Sequence, residues 1–160
     1  MAVDINKLSR GEQVISVSAI VLIIFSFIKW YGLDVGGGEI GGVEIPGASF
    51  SANGWDRTLG MFATIFAIVM LAQILASKFG NMNMPDLGSV TWGQVHLGLG
   101  AAAAVFVIIC FFDDGGADKK FGLFVSIVAA LGLAAGGYLK FQEGSGGGGG
   151  GAMPPRPPAA

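Results

Sequence analysis

The side chains that could do chemistry are few, and most of them stand alone in the sequence. His96 is the one histidine of the chain and follows Trp92 and Gln94 at the start of an apolar run. A histidine titrates near neutral pH and can relay protons, but no carboxylate stands within one helical turn of it in the sequence. A hydrogen-bonded histidine near a membrane interface is the favoured interpretation, and a proton relay is the alternative.

An acidic cluster follows the same apolar run and consists of Asp113, Asp114 and Asp118. Carboxylate oxygens suit calcium or magnesium, but this spacing matches no loop with a fixed series of ligands. Lys119 and Lys120 partly neutralise the cluster. The sequence therefore predicts a solvated turn, with no metal and no cofactor.

Catalytic residues are not visible in the sequence. Cys110 is the single cysteine, so it has no partner for an intramolecular disulfide, and no nucleophile stands with a base beside it. The glycine runs after the first apolar segment lack the strand, helix and lysine of a phosphate-binding loop. A net charge of −2 without a basic patch disfavours nucleic-acid binding. We expect a protein that is not an enzyme.

Four apolar runs must position these side chains. Only 12% of the 160 residues are charged, whereas a soluble domain carries about a quarter. A hydrocarbon core about 30 Å thick needs around 20 helical residues, and each run approaches that length. We predict an all-α membrane protein, with four transmembrane helices in an antiparallel bundle at about residues 14–30, 58–77, 94–112 and 121–140.

The loops and the tail complete the layout. The long, glycine-rich first loop alternates apolar residues with glycine turns and predicts a small β-hairpin over the bundle. The third loop is short, so helices three and four should be antiparallel neighbours. Residues 143–160 follow the transmembrane domain of residues 1–142 as a Gly/Pro-rich tail, which we expect to be disordered. An engineered linker and a proline ligand motif in PPRPP are the alternatives for this tail.

Small and polar residues within the helices indicate how the bundle assembles. A stripe of small residues on helix four would let backbones approach closely in lipid. It could pack on helix three within one chain or bind another subunit. Gln73, near mid-membrane, is interpreted as a contact to a neighbouring helix rather than a substrate ligand. The stripe consists of Gly122, Ser126, Ala129, Gly132 and Gly136.

Aromatic and basic residues at the helix ends indicate the membrane interfaces and the orientation. Tryptophan, tyrosine and snorkelling lysine favour the headgroup level. Five basic residues lie on the side that holds the termini and four on the other, so we expect both termini in the cytoplasm and the first loop outside. The predicted interface anchors are Lys29, Trp30, Tyr31, Trp55 and Trp92. The basic residues are Lys7, Arg10, Lys78, Lys140 and Arg156 on the terminal side, and Lys29, Arg57, Lys119 and Lys120 opposite.

Two segments carry a resemblance to known proteins. FSFIKWYG at the end of helix one and SANGWD before helix two resemble small actinobacterial integral membrane proteins with four helices and largely unknown function. The resemblance implies a bacterial plasma membrane protein and carries over no catalytic residue; many members have proline where Lys29 stands. Trp30, Gly32 and Leu33 also resemble claudin-like tetraspan proteins, but the loop cysteine pair of those proteins is missing, so no relation is inferred.

The favoured function is that of a non-catalytic accessory or scaffold subunit. It would bind another membrane protein, or a second copy of itself, through a small-residue helix face or the exterior loop. The alternative is a small transporter or channel component that acts as an oligomer. A transporter should place Gln73 and His96 together around a hydrated cavity, with Ser126 as a further candidate for its lining.

Overall fold

The computed structural model describes residues 5–80 and 82–146, and these form four long helices, a three-stranded sheet and a separate two-stranded sheet. The helices are α1 (Arg10–Ser26), α2 (Thr58–Lys78), α3 (Trp92–Phe112) and α4 (Phe121–Gly146). The strands are β1 (Tyr31–Val35), β2 (Gly38–Ile40), β3 (Val43–Ile45), β4 (Ala48–Ala52) and β5 (Asp118–Lys119), and short 3₁₀ turns cover Ile5–Lys7 and Gly54–Asp56. The protein is mostly helical, and the predicted hairpin is present.

Three of these helices, α2, α3 and α4, are long and apolar enough to cross a membrane. The first helix has 17 residues and is the shortest of the four. It begins four residues before the predicted start, because Ser9 and Glu12 form a capping box. It ends at Ser26 rather than at residue 30, because the chain turns there toward β1. The structure therefore supports three candidate spans and not the predicted four.

The fourth helix packs against two neighbours, and its contacts with α3 and α1 are the most extensive in the fold. Glycines permit both contacts because they bring backbone against backbone. A Cβ at Gly100 of α3 would lie 2.8 Å from the carbonyl carbon of Leu133, and one at Gly137 of α4 would lie 2.7 Å from the carbonyl oxygen of His96. Helices three and four are thus closely packed neighbours.

The sheet is built from two separate loops. Strands β1 and β4 are antiparallel and pair Leu33 with Phe50. Strands β2 and β3 lie between them in the chain and form a second hairpin. Gly41 and Gly42 at its tip have φ values of 63° and 85°, which a two-residue hairpin turn requires. The third loop, predicted as a simple tight connection, contributes β5, so the strand order is β4-β1-β5. We call residues 31–52 the β-ribbon.

The last helix is longer than predicted. It continues through residues 143–146, which the sequence assigned to the disordered tail, and Ser145 donates a hydrogen bond to the carbonyl oxygen of Phe141 at 2.9 Å. The remaining tail, with the PPRPP segment, lies outside the described residues.

The glycine contacts yield a matched pair of substitutions on α3. Gly100→Ala should lower the free energy of unfolding by about 1–3 kcal/mol, because the new methyl group forces α4 away from α3. A Cβ at Gly98 meets nothing within 4 Å, so Gly98→Ala should be neutral or stabilise the helix through its higher propensity. Both variants are compared with wild type by unfolding in detergent. Equal effects of the two substitutions would contradict the close contact.

Candidate functional site

Each of the four helices brings at least one ionisable residue to the same end of the bundle, which we call the terminal end, and four of these residues form a cluster. They are Glu12 of α1, Lys78 of α2, His96 of α3 and Lys140 of α4. A carboxylate oxygen of Glu12 lies 3.1 Å from the Lys78 nitrogen, and its other oxygen lies 3.2 Å from the Lys140 nitrogen. Gly137, where α4 meets the backbone of His96, stands one turn before Lys140.

The centre of this cluster is the buried carboxylate of Glu12. The residue is 4% exposed, and its carboxylate also accepts a hydrogen bond from the Ser9 backbone N–H at 3.0 Å. A buried charge is tolerated only when it is paired and hydrogen-bonded. Nearby, Glu143 accepts from the Gly11 N–H at 3.1 Å and from the Ser9 hydroxyl at 2.5 Å. The cluster thus joins the start of α1 to the ends of α2 and α4.

His96 is buried within the protein, with 1% of its surface exposed. Its Nδ1 atom has no hydrogen-bond partner among the described residues, so the hydrogen bond predicted for it is not seen at this atom. The neighbouring acid is Glu12, which two lysines already neutralise. A carboxylate therefore lies at the same end of the bundle as His96, but it is held in ion pairs with Lys78 and Lys140.

The other two polar residues proposed to mark a transport path, Gln73 and Ser126, have different surroundings. Gln73 lies seven residues beyond Phe66, hence on the same face of α2, and Phe66 packs on Phe106 of α3 with ring centroids 5.7 Å apart. Gln73 thus faces α3, and its buried Oε1 has no partner among the described residues. Ser126 donates to the carbonyl oxygen of Gly122 at 2.7 Å within α4.

The small residues of the α4 stripe are in contact with other segments of the same chain. A Cβ at Gly136 would lie 2.8 Å from the backbone nitrogen of Ile15, and Gly132 faces the side chain of Ser18. Gly122 lies against the backbone that leaves α1, and Ala129 is buried. The neighbour of the glycines is therefore α1, whereas the sequence pointed to helix three or another subunit.

Two of the predicted interface anchors, Trp30 and Tyr31, lie inside the protein rather than at its surface. The side chain of Trp30 is 0% exposed and that of Tyr31 is also buried, so neither ring can sit among lipid headgroups. Gly54 and Gly60 leave the space for the indole, because a Cβ at either would lie 2.8 or 2.9 Å from it. Its Nε1 donates to the carbonyl oxygen of Phe25 at 2.9 Å. Trp30 is thus a core residue.

The other predicted anchors are at least partly exposed. Lys29 is exposed. Trp55 is half-buried and donates through Nε1 to the Ser26 hydroxyl at 3.0 Å, whereas half-buried Trp92 donates to the carbonyl oxygen of Pro85 at 3.2 Å. These three positions are compatible with an interface.

The acidic cluster after α3 is resolved into separate ion pairs at the opposite end of the bundle, which we call the sheet end. Asp113 pairs with Arg57 at 2.6 Å, and Asp114 pairs with Lys119, which lowers the pKa of that carboxyl. Asp118 lies 3.7 Å from the nitrogen of Lys120. No group of three potential ligands for a metal ion occurs among the described residues.

Tyr31 connects the sheet to the bundle. Its hydroxyl donates to the carbonyl oxygen of Cys110 at the end of α3, and the Arg57 guanidinium lies 5.4 Å from its ring centroid. Burial raises the pKa of this phenol to about 12. The base of the β-ribbon is therefore fixed to α3 through a neutral, buried tyrosine.

Beyond this base, the β-ribbon exposes large apolar side chains. Leu33 and Phe50 form a cross-strand pair, and Ile40 pairs with Val43 beside the tip. Phe50 is 63% exposed and Ile40 is 72% exposed. Val35 and Ile45 are exposed as well. None of these residues belongs to a helix that could cross a membrane.

Sequence reasoning missed Glu12 at the terminal end and used Lys140 only as an indicator of orientation, without its ion pair. Their connection could have been found, because an even number of antiparallel helices places the start of α1 beside the ends of α2 and α4. The capping-box spacing of Ser9 and Glu12 was a second indication.

Comparison of the chain with protein-family models, with curated proteins and with solved structures finds no match.

Removing the charge of Glu12 tests the terminal cluster. Glu12→Gln should lower the free energy of unfolding by about 3 kcal/mol, because Lys140 stays largely buried without its carboxylate. The matched control is Glu143→Gln at an exposed position, which should cost less than about 1 kcal/mol. Denaturant titration in detergent measures both losses. Similar losses in the two variants would contradict a central role for Glu12.

The buried phenol of Tyr31 predicts a pH dependence of stability. Its pKa is higher in the folded protein than the value of about 10 for an unfolded chain, so its contribution is complete below pH 10 and is lost as the pH rises through about 12. The stability difference between wild type and Tyr31→Phe should therefore be constant below pH 10 and shrink above it. Unfolding of both proteins across this range is the measurement, and a constant difference would exclude the phenol as the cause.

Proposed function

We propose that this chain is a non-catalytic, multi-pass membrane protein that acts as an accessory or scaffold subunit and binds another membrane protein through the β-ribbon. The observation that carries the proposal is the exposed apolar pair of Ile40 and Val43 at the tip of the ribbon, with Leu33 and Phe50 exposed nearer its base. Contiguous apolar surface outside the core marks an interaction site, and apolar side chains dominate the centre of such sites.

In this proposal α1 is the fourth span. Its exposed residues are apolar for most of its length and include Val17, Ile20 and Ile24, as lipid contact requires. Helices as short as about 17 residues still cross a bilayer when flanking residues snorkel or the bilayer thins. Its packing on α4 through Gly11 and Gly136 supports insertion beside the three longer helices.

Both termini are proposed to be cytoplasmic, in a bacterial plasma membrane. The excess of basic residues on the terminal side supports this orientation, and the resemblance of FSFIKWYG and SANGWD to small actinobacterial membrane proteins supports the location. The β-ribbon, with Asp34, Glu39 and Glu44, then lies outside.

The separation of the polar residues counts against a transporter. Ser126 lies eleven residues before Gly137, the α4 residue beside His96, which corresponds to roughly 16 Å along the helix. Ser126 is therefore far from His96, and one cavity does not combine these two side chains. Glu12 is also held in ion pairs with Lys78 and Lys140 and is not available as a carrier of protons.

A cysteine at the tip of the ribbon tests both orientation and binding. In a Cys110→Ala background, Val43→Cys should react with an impermeant thiol reagent in intact cells, and Ser145→Cys should not. The partner is first identified by cross-linking to the unlabelled protein and mass spectrometry. A bulky thiol adduct at position 43 should then prevent this partner from binding. Reaction at position 145 alone would reverse the orientation.

A matched pair of double variants separates the apolar face from the polar face of the tip. Ile40→Ser with Val43→Ser should abolish recovery of the identified partner without lowering the melting temperature, because both side chains are exposed. Glu39→Gln with Glu44→Gln, on the other face of the same hairpin, should leave recovery unchanged. Retention of the partner by the serine variant would refute binding through this surface.

A further inference from the structure

Strand β4 is an edge of the sheet, and its outer side pairs with nothing in the part of the chain that the structure describes. In an antiparallel ladder alternate residues direct their N–H and C=O groups away from the partner strand, so this side offers free donors and acceptors. Proteins normally protect such an edge with lysine, proline or a bulge. The strand, ASFSA, contains neither charge nor proline, and its first four residues are exposed.

The sequence of this strand is symmetric about Phe50. Ser49 and Ser51 flank it, followed by Ala48 and Ala52. A two-fold axis at Phe50 would therefore set phenylalanine opposite phenylalanine, serine opposite serine and alanine opposite alanine. Aromatic pairs and serine pairs stabilise adjacent strands, and a two-fold interface must be complementary to itself.

We infer that β4 pairs antiparallel with β4 of a second copy of this chain, with Phe50 opposite Phe50, and joins the two sheets into one. The inference rests on the proposed function in placing the β-ribbon outside the bilayer. It goes further by naming the partner for this edge, while the apolar tip stays free for another protein.

The other strands of the ribbon do not fit this pairing. Strand β5 covers only Tyr31 and Gly32 of β1, so the free part of β1 is centred on Asp34. Strands β2 and β3 are centred on Glu39 and Glu44. A two-fold pairing at any of these centres would oppose two carboxylates, which destabilises adjacent strands. The arrangement of charge thus favours β4.

Disulfide cross-linking in membranes tests the register. In the Cys110→Ala background, Ser49→Cys co-expressed with Ser51→Cys should form a mixed dimer, because directly opposed residues have Cα atoms about 4.5–5.5 Å apart, within reach of a disulfide. Either variant alone should cross-link weakly, since identical positions are then about 8 Å apart. Asp34→Cys is the control on the acidic strand. Cross-linking of the mixed pair no greater than that of Asp34→Cys would overturn the inference.

A charge exchange at Phe50 tests the interface without cysteine. Phe50→Lys and Phe50→Glu should each lower the dimer fraction about tenfold, because each sets like charges opposite one another, and mixing the two variants should restore it. The melting temperature should be kept because Phe50 is exposed. A dimer fraction unchanged by Phe50→Lys, or a mixture no more dimeric than its components, would refute the pairing.

The two proposals fail in different ways. If the Ser49 and Ser51 cysteines cross-link but the serine variant at Ile40 and Val43 keeps its partner, the accessory function fails and the dimer stands. If Val43→Cys reacts from outside and no mixed disulfide forms, the dimer alone fails.

Discussion

The architecture depends on the close approach of the α4 backbone to α1 and α3. In lipid no hydrophobic driving force brings helices together, so association relies on many short contacts between closely spaced backbones. Glycine supplies this on both sides of α4, through Gly100 and Gly137 toward α3 and through Gly11 and Gly136 toward α1. Helix α2 packs less extensively and lies against α1 and α3. Each helix thus has two neighbours, and the bundle is packed most closely along α4.

Different interactions connect the helices at the two ends of the bundle. At the terminal end the cost of burying Glu12 is offset by Lys78 and Lys140, so three helices are joined by charge. At the sheet end the joining groups are neutral or half-exposed. Tyr31 donates to α3, and Arg57 pairs with Asp113. The apolar residues between the ends need only match lipid and one another, which explains why so few side chains there could do chemistry.

The sequence predicted well those features that depend on composition and local pattern. Helices α2 and α3 begin and end close to their predicted bounds, and Gly41 and Gly42 made the hairpin predictable. Features that depend on contacts between distant segments were harder to predict from the sequence. The buried position of Trp30 follows from space left by Gly54 and Gly60, and the partner of Gly136 is α1 because α4 lies between two helices. Neither fact can be obtained from the spacing of residues along one helix.

The pairing of β5 with β1 affects the order in which the fold can be completed. The β1–β4 ladder joins segments that are close in the chain, whereas Tyr31 pairs with Lys119 across the whole of α2 and α3. A contact between such distant residues forms only after its loop has been closed, at an entropic cost. The ribbon can therefore assemble early during synthesis, but β5 must wait for α3. Completion of the sheet thus reports that α3 has returned the chain to the sheet end of the bundle.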